Sequence, residues 1–344
     1  MSRRPVVVPL VVALLGFGVP AALFGAEEPI YFERELENTV YAINPDGTGL
    51  RQVADGYRPA PSPDGQYVLV QHGRDLERIG ADGSFLSLGA YASRSEWSPD
   101  GRRILFHRNG GVHTMEPDGS GERVVTEEGS NPHWWPSDPR WVYFNRTRSE
   151  SMDATDLYRA NTETGVVERL LELTYIQPVV FPFSPDGTRL LVSSCGDGSF
   201  CVQVLVLATG ELIPIGPFGD RGGAQRPAWS LDGRQITFET LEGMGGLFLA
   251  DAAGAWVREL VPGRGEAAPG ATAWSPEGDR IAFQVRDWMG SNKTKIWLIN
   301  TDGTGLRELA EGNSPLWAVP AAPAVVGANV EALGWGRAKR LGGR

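Results

Sequence analysis

The sequence predicts an all-β fold, a β-propeller built from four-stranded antiparallel blades. Three observations carry that prediction. The phrase Ser-Pro-Asp-Gly recurs at a spacing of about 40 residues, a period typical of propeller blades. A second glycine-containing turn follows each copy. Runs of alternating apolar and polar residues, the pattern of half-buried strands, fill the intervals between turns.

Taken in order, the chain opens with Arg3 and Arg4, an apolar run from Val6 to Phe24, and small residues at Gly25 and Ala26. This is the pattern of a secretory signal peptide over 1–26, with Pro9 and Pro20 interrupting the apolar run; the rival reading is an uncleaved membrane anchor. Ile30-Tyr31-Phe32-Glu33 then begins a unit that lacks its innermost strand and turns at Pro45-Asp46-Gly47-Thr48-Gly49. Complete units follow. Their first corners are Ser62-Pro63-Asp64-Gly65, Ser98-Pro99-Asp100-Gly101, a degenerate Pro136-Ser137-Asp138-Pro139, Ser184-Pro185-Asp186-Gly187, Ser230-Leu231-Asp232-Gly233 and Ser275-Pro276-Glu277-Gly278. Proline presets the first turn residue, aspartate bonds the nearby backbone and glycine accepts a positive φ, so each phrase is a hairpin corner. Strand-like runs such as Tyr67-Val68-Leu69-Val70 and Arg280-Ile281-Ala282-Phe283 leave these corners, and turns such as Ala81-Asp82-Gly83 and Thr301-Asp302-Gly303 close the outer hairpins.

Near the end, Ser314-Pro315-Leu316-Trp317 reads as an innermost strand without companions. Pairing it with Ile30–Glu33 closes the ring over 27–318 and gives seven blades, or six if that pairing fails. Residues 319–344, rich in Ala, Pro, Val and Gly, read as a flexible C-terminal tail.

The longer phrase Trp-Ser-Pro-Asp-Gly at Trp97 to Gly101, echoed at Trp229 to Gly233 and Trp274 to Gly278, resembles the WD-like repeat of TolB-type propellers over roughly residues 30–318. That resemblance implies a periplasmic or secreted location and protein–protein contacts. The best-known member of the family acts with an outer-membrane lipoprotein in envelope integrity.

Composition narrows the function classes. The chain has 344 residues, 41% of them hydrophobic, enough for a sizeable core. Its net charge of −10 argues against nucleic acid and anionic membrane surfaces as partners, since phosphate binding needs clustered Lys and Arg. Once the signal segment is removed, no stable membrane span is expected. The only cysteines, Cys195 and Cys201, flank Gly196-Asp197-Gly198-Ser199-Phe200; an oxidising compartment lets them pair across a hairpin, and two buried free thiols are the alternative. Zinc needs more ligands than this pair offers.

Enzyme signals are weak. His72, His107, His113 and His133 stand in no His-Glu-x-x-His helix, and the sequence has neither a Gly-x-Ser-x-Gly elbow nor a phosphate loop. No metal or cofactor is expected, and the chain reads as a non-catalytic scaffold whose partner is an envelope protein or a small anionic ligand. The alternative is a polysaccharide lyase or hydrolase with its site at the channel mouth. Arg58, Arg94 and Arg226 each stand four residues before an anchor serine (Ser62, Ser98, Ser230), which places them at equivalent heights near the start of three innermost strands. Together they form a candidate anion site through forked hydrogen bonds; the alternative pairs them with Asp55, Glu96 and Asp220. His133 is a further candidate at the channel mouth. Longer connections at 146–155, 216–226, 240–246 and 286–294 are candidate binding loops, and Trp288 is the candidate exposed aromatic there. Trp97, Trp229, Trp274 and Trp317 share one repeat position and are expected to pack between blades, whereas Trp134, Trp141, Trp256 and Trp297 are less regular.

Overall fold

The structure, a computed structural model, describes residues 28–34, 36–90, 92–148, 151–173, 182–192, 201–215, 224–240, 245–263, 267–287, 293–318 and 339–341. The 1–26 segment, Cys195, Asp220 and Trp288 lie outside the described residues.

Strands β1 (Ile30–Arg34), β2 (Thr39–Ile43) and β3 (Arg51–Asp55) come first. They are the outer three strands of a blade that the far end of the chain completes. Blade 1 is β4 (Tyr57–Pro61), β5 (Tyr67–His72), β6 (Asp75–Gly80) and β7 (Phe85–Ala90). Blade 2 is β8 (Ser93–Trp97), β9 (Ile104–Arg108), β10 (Gly111–Met115) and β11 (Arg123–Thr126). Blade 3 is β12 (Ser130–Trp134), β13 (Trp141–Arg148), β14 (Ser151–Asn161) and β15 (Val167–Leu173). In blade 4 a Phe183–Leu190 bridge marks the innermost strand, beside β16 (Arg189–Val192), β17 (Gln203–Val206) and β18 (Glu211–Pro214). Blade 5 is β19 (Ala224–Trp229), β20 (Gln235–Thr240), β21 (Leu247–Asp251) and β22 (Val257–Val261). Blade 6 is β23 (Ala267–Trp274), β24 (Arg280–Asp287), β25 (Thr294–Asn300) and β26 (Arg307–Glu311).

Finally β27 (Asn313–Trp317) pairs antiparallel with β1, with Ile30 opposite Trp317 and Tyr31 opposite Leu316, and completes blade 7. The ring therefore closes by joining the two ends of the propeller, with seven blades. A short β28 (Lys339–Leu341) lies parallel to the outer edge of β15, within the segment read from sequence as a tail.

Among the described residues no single central core forms; seven apolar clusters occur there, and each sits at one junction between neighbouring blades. On β5, Leu69 belongs to the junction with blade 2 while Val68 and Val70 belong to the junction with blade 7. Second strands such as β5 and β9 are thus apolar on both faces, because each face meets a neighbour.

The repeated phrase builds the corners as its chemistry requires. Ser98 Oγ donates to Asp100 Oδ1 (2.6 Å) and accepts from the Arg103 backbone N–H (2.9 Å), and Ser62 and Ser230 do the same. Where Glu277 replaces the aspartate, Ser275 turns to Asp279 instead (2.8 Å). Trp97 Nε1 donates to Ala60 O (3.0 Å) and Trp229 Nε1 to Pro182 O (3.0 Å), each reaching the innermost strand of the preceding blade. Trp134 does likewise with Glu96 O (3.3 Å), so it belongs to the repeated set, a correction to its reading as irregular. Its degenerate corner hid it. Arg103, Arg189 and Arg280 cover the next blade's Trp134, Trp229 and Trp317 at 5.0, 4.7 and 5.4 Å from the ring centres.

Candidate binding site at the rim of the innermost strands

The corners and outer turns lie at one face of the ring; the starts of the innermost strands lie at the other. There the ladder between first and second strand is broken in the same way in blade after blade. Register shifts fall between Tyr57 and Ala60, Ser93 and Glu96, Ser130 and His133, Gln225 and Ala228, and Gly270 and Thr272. The residue inside each break has a left-handed backbone: Arg58 (φ 54°), Arg94 (51°), Asn131 (50°), Arg226 (50°), Ala271 (34°) and, in blade 7, Ser314 (52°). The blade 4 equivalent lies outside the described residues. Such bulges ordinarily take glycine, and a side chain there costs roughly 1 kcal/mol or more per position. Proline follows at 59, 132, 227 and 315. It suits a break in the ladder because it has no N–H to leave unpaired.

A second ring of polar groups fixes three of these bulges. In blade 7 Glu33 follows the buried Phe32 on β1, and its Oε1 accepts the Arg58 backbone N–H of blade 1 (2.7 Å). Gln284 follows the buried Phe283 on β24 and accepts the Ser314 N–H of blade 7 (2.9 Å). Glu239 follows Phe238 on β20 and is held by the Ala271 N–H of blade 6. Gln71, His107 and Asn145 occupy the same place on β5, β9 and β13. Apart from His107, singled out only as a histidine, these second-strand residues were not recognised from the sequence. A buried residue followed by a polar one, nine residues after the anchor serine at Gln71, His107, Glu239 and Gln284, was the available signal.

The three arginines do not converge as one site. Arg226 pairs with Glu239 (Nη1 to Oε2, 3.3 Å). Neither Arg58 nor Arg94, on adjacent blades, makes an ion pair among the described residues. Of the acids expected to neutralise them, Asp55 accepts from Gln52 Nε2 (2.9 Å) and Glu96 from His133 Nδ1 (3.0 Å). Burial first, and the positive charge of Arg58 second, hold the Arg94 guanidinium below its ordinary value. Burial, then Arg94, then His113 push the His107 imidazole down. Burial drives the Glu239 carboxyl up to about 7, against the opposing pull of Arg226 and the Ala271 N–H. Its Oε1 is buried without a hydrogen-bond partner.

His133 is a contact between innermost strands, bonded to Glu96 and stacked on Tyr143 at 5.3 Å. Between blades 6, 7 and 1 a cavity of about 620 Å³ opens at the rim, lined by Glu33, Tyr57, Arg58, Ala271, Ser314 and Leu316 among others. The small side chains of Ala271 and Ser314 leave room for it. The 146–155 connection is shorter than expected, because β13 extends to Arg148 and β14 starts at Ser151. Arg148 is drawn into an ion-pair network with Asp156 (2.6 Å) and Glu172 (3.2 Å). Among the described residues no three His, Cys, Asp or Glu side chains group as a metal ion requires, and no helix is long and apolar enough to cross a membrane.

Fold and rim together define a seven-bladed β-propeller with a polar axial rim. Among solved structures, TolB from Acinetobacter baumannii is similar at 17% identity and a TM-score of 0.53, covering 88% of this chain and 69% of its own. An oligogalacturonate lyase from Vibrio parahaemolyticus matches at 13% identity and a TM-score of 0.50, over 65% of this chain and 74% of its own. The β-propeller domain of the trilobed protease from Pyrococcus furiosus matches at 14% identity and a TM-score of 0.57, over 80% of this chain and 88% of its own. No family model and no curated protein matches the sequence. At these identities the likeness concerns the fold, a TolB-like propeller architecture.

Proposed function

We propose that the chain is an exported, non-catalytic propeller that binds a protein partner in the cell envelope through the rim of its innermost strands. The observation that carries this reading is the ring of side-chain-bearing residues held in left-handed backbone around the axis. Strain repeated at one place, and latched at Arg58, Ala271 and Ser314 by the neighbouring blade, supports a functional surface. The likeness to TolB and the apolar N-terminal run support a periplasmic or secreted location. An oxidising location agrees with a Cys195–Cys201 bridge in blade 4, which free-thiol titration of unreduced, denatured protein checks: no thiol is expected, and two contradict it.

A polysaccharide lyase or hydrolase is the second reading, favoured by the buried Glu239 carboxyl titrating near neutrality. The test captures partners from an envelope fraction with two variants. Leu316→Arg changes an exposed residue of the rim cavity, and Leu306→Arg changes an exposed residue beside the opposite turns. Capture lost only with Leu316→Arg supports the rim. Equal capture by both variants contradicts it, and turnover of acidic polysaccharide by the purified protein contradicts the non-catalytic reading.

A further inference from the structure

The rim is electrostatically uneven. On one side, blades 1 and 2 present Arg58 and Arg94, both exposed, with the His107 imidazole behind them on β9. On the other, blade 5 carries Arg226 already satisfied by Glu239. The backbone N–H of Arg58 is committed to Glu33, while its guanidinium lies 5.8 Å from the centre of the Tyr57 ring and makes a long contact with the neutral Gln71 Oε1 (3.5 Å), with no acid paired to it among the described residues. Arg94 has no hydrogen-bond or ion-pair partner among the described residues, and the one charged group that shifts its titration is another arginine.

Two like charges at equivalent positions of innermost strands that pack against each other, neither ion-paired among the described residues, suit an external anion that completes the site.

We propose that Arg58 and Arg94 form a carboxylate receptor that takes an acidic side chain or the C-terminus of a partner polypeptide. The proposal rests on the rim being the binding surface. Two guanidinium forks on adjacent strands suit the two oxygens of a carboxylate better than a point charge does. A polypeptide is favoured over an acidic sugar because the repeated tryptophans, the natural stacking platforms, are buried between blades: Trp97, Trp134, Trp229, Trp274 and Trp317 are all under 8% exposed. Neutral His107 adds no third charge, which keeps the receptor matched to one or two carboxylates.

Asparagine already occupies the equivalent left-handed position at Asn131, so Arg58→Asn and Arg94→Asn remove the charges while keeping the backbone. The probes are a capped, amidated tetraglutamate, a glycine tripeptide with a free C-terminus, and a galacturonate trisaccharide, titrated calorimetrically into the full chain. Wild type is expected to bind at least one of the two peptides, more weakly as salt rises, and the double variant to bind it about tenfold or more weakly with an unchanged or higher Tm. The first peptide reports side-chain carboxylates and the second the terminus. Arg102→Asn, which changes an exposed arginine at a corner on the opposite face, is expected to leave peptide binding intact. Equal affinity of wild type and double variant overturns the proposal, as does binding of the trisaccharide alone or of no probe. If capture still depends on Leu316 while peptide binding ignores Arg58 and Arg94, the rim reading stands and the receptor falls.

Discussion

Glu239 shows how much one residue carries at the rim. Its side chain is 4% exposed, it bonds Arg226, and it receives the backbone of the next blade at Ala271. Because its carboxyl titrates near 7 in the fold and near 4.5 without it, the folded protein keeps a proton that the unfolded chain has released across that window. Its contribution to stability is therefore full below about pH 4.5 and is lost as pH rises through 7, by an amount of order 3 kcal/mol. Thermal melts of wild type and Glu239→Gln across pH 4–9 check this. The variant is expected to flatten that part of the pH profile, and an unchanged profile shows that Glu239 is ionised throughout. The sequence placed Arg58, Arg94 and Arg226 correctly at one repeat position, since spacing from the anchor serine needs no knowledge of contacts. It did not separate Arg226 from the other two. The partner Glu239 lies on the adjacent strand, and its burial follows from tertiary packing against blade 6.

At the scale of the element, the Ser-Pro-Asp-Gly corner is the unit that the blades repeat. Ser98 is fully buried and bridges Asp100 to the Arg103 N–H, so its hydroxyl satisfies one backbone group and one carboxylate at once. Ser98→Ala is expected to lower stability by about 1–3 kcal/mol, because a backbone N–H loses its side-chain partner inside the blade. Denaturant unfolding measures it, and a change within error contradicts the anchoring role. Corners of this kind were legible because proline, aspartate and glycine each have a local reason to be there. The inner bulges were not. Arg58, Arg94 and Ser314 carry no local preference strong enough to announce a left-handed backbone, and the bonds from Glu33 and Gln284 that hold it at Arg58 and Ser314 come from another blade. The tryptophan position was half legible: Trp97, Trp229, Trp274 and Trp317 stood out by repetition, and Trp134 was missed where Trp135 replaces the anchor serine.

Over the whole molecule, stability is distributed among seven junctions, and each depends on having a neighbour on both sides. Closure by β27 against β1 is therefore essential to the ring. Removing 312–344 takes away β27 together with Trp317 and Ala318, uncovers Ile30, Phe32 and Tyr31, and leaves an open sheet edge. That truncation is expected to aggregate, whereas removal of 321–344 is expected to leave a monomer with a Tm close to that of the full chain; size-exclusion chromatography and melting separate the cases. A folded, monomeric product of the longer deletion contradicts closure. The central claim, that this ring presents its axial rim to a partner, is tested most directly by amide hydrogen exchange of the full chain with and without the partner captured from the envelope. Protection is expected at 57–60, 93–96 and 313–316, with the outer turns at 45–49, 117–121 and 301–305 unchanged. Protection confined to those turns, or to the outer strands, would contradict the account.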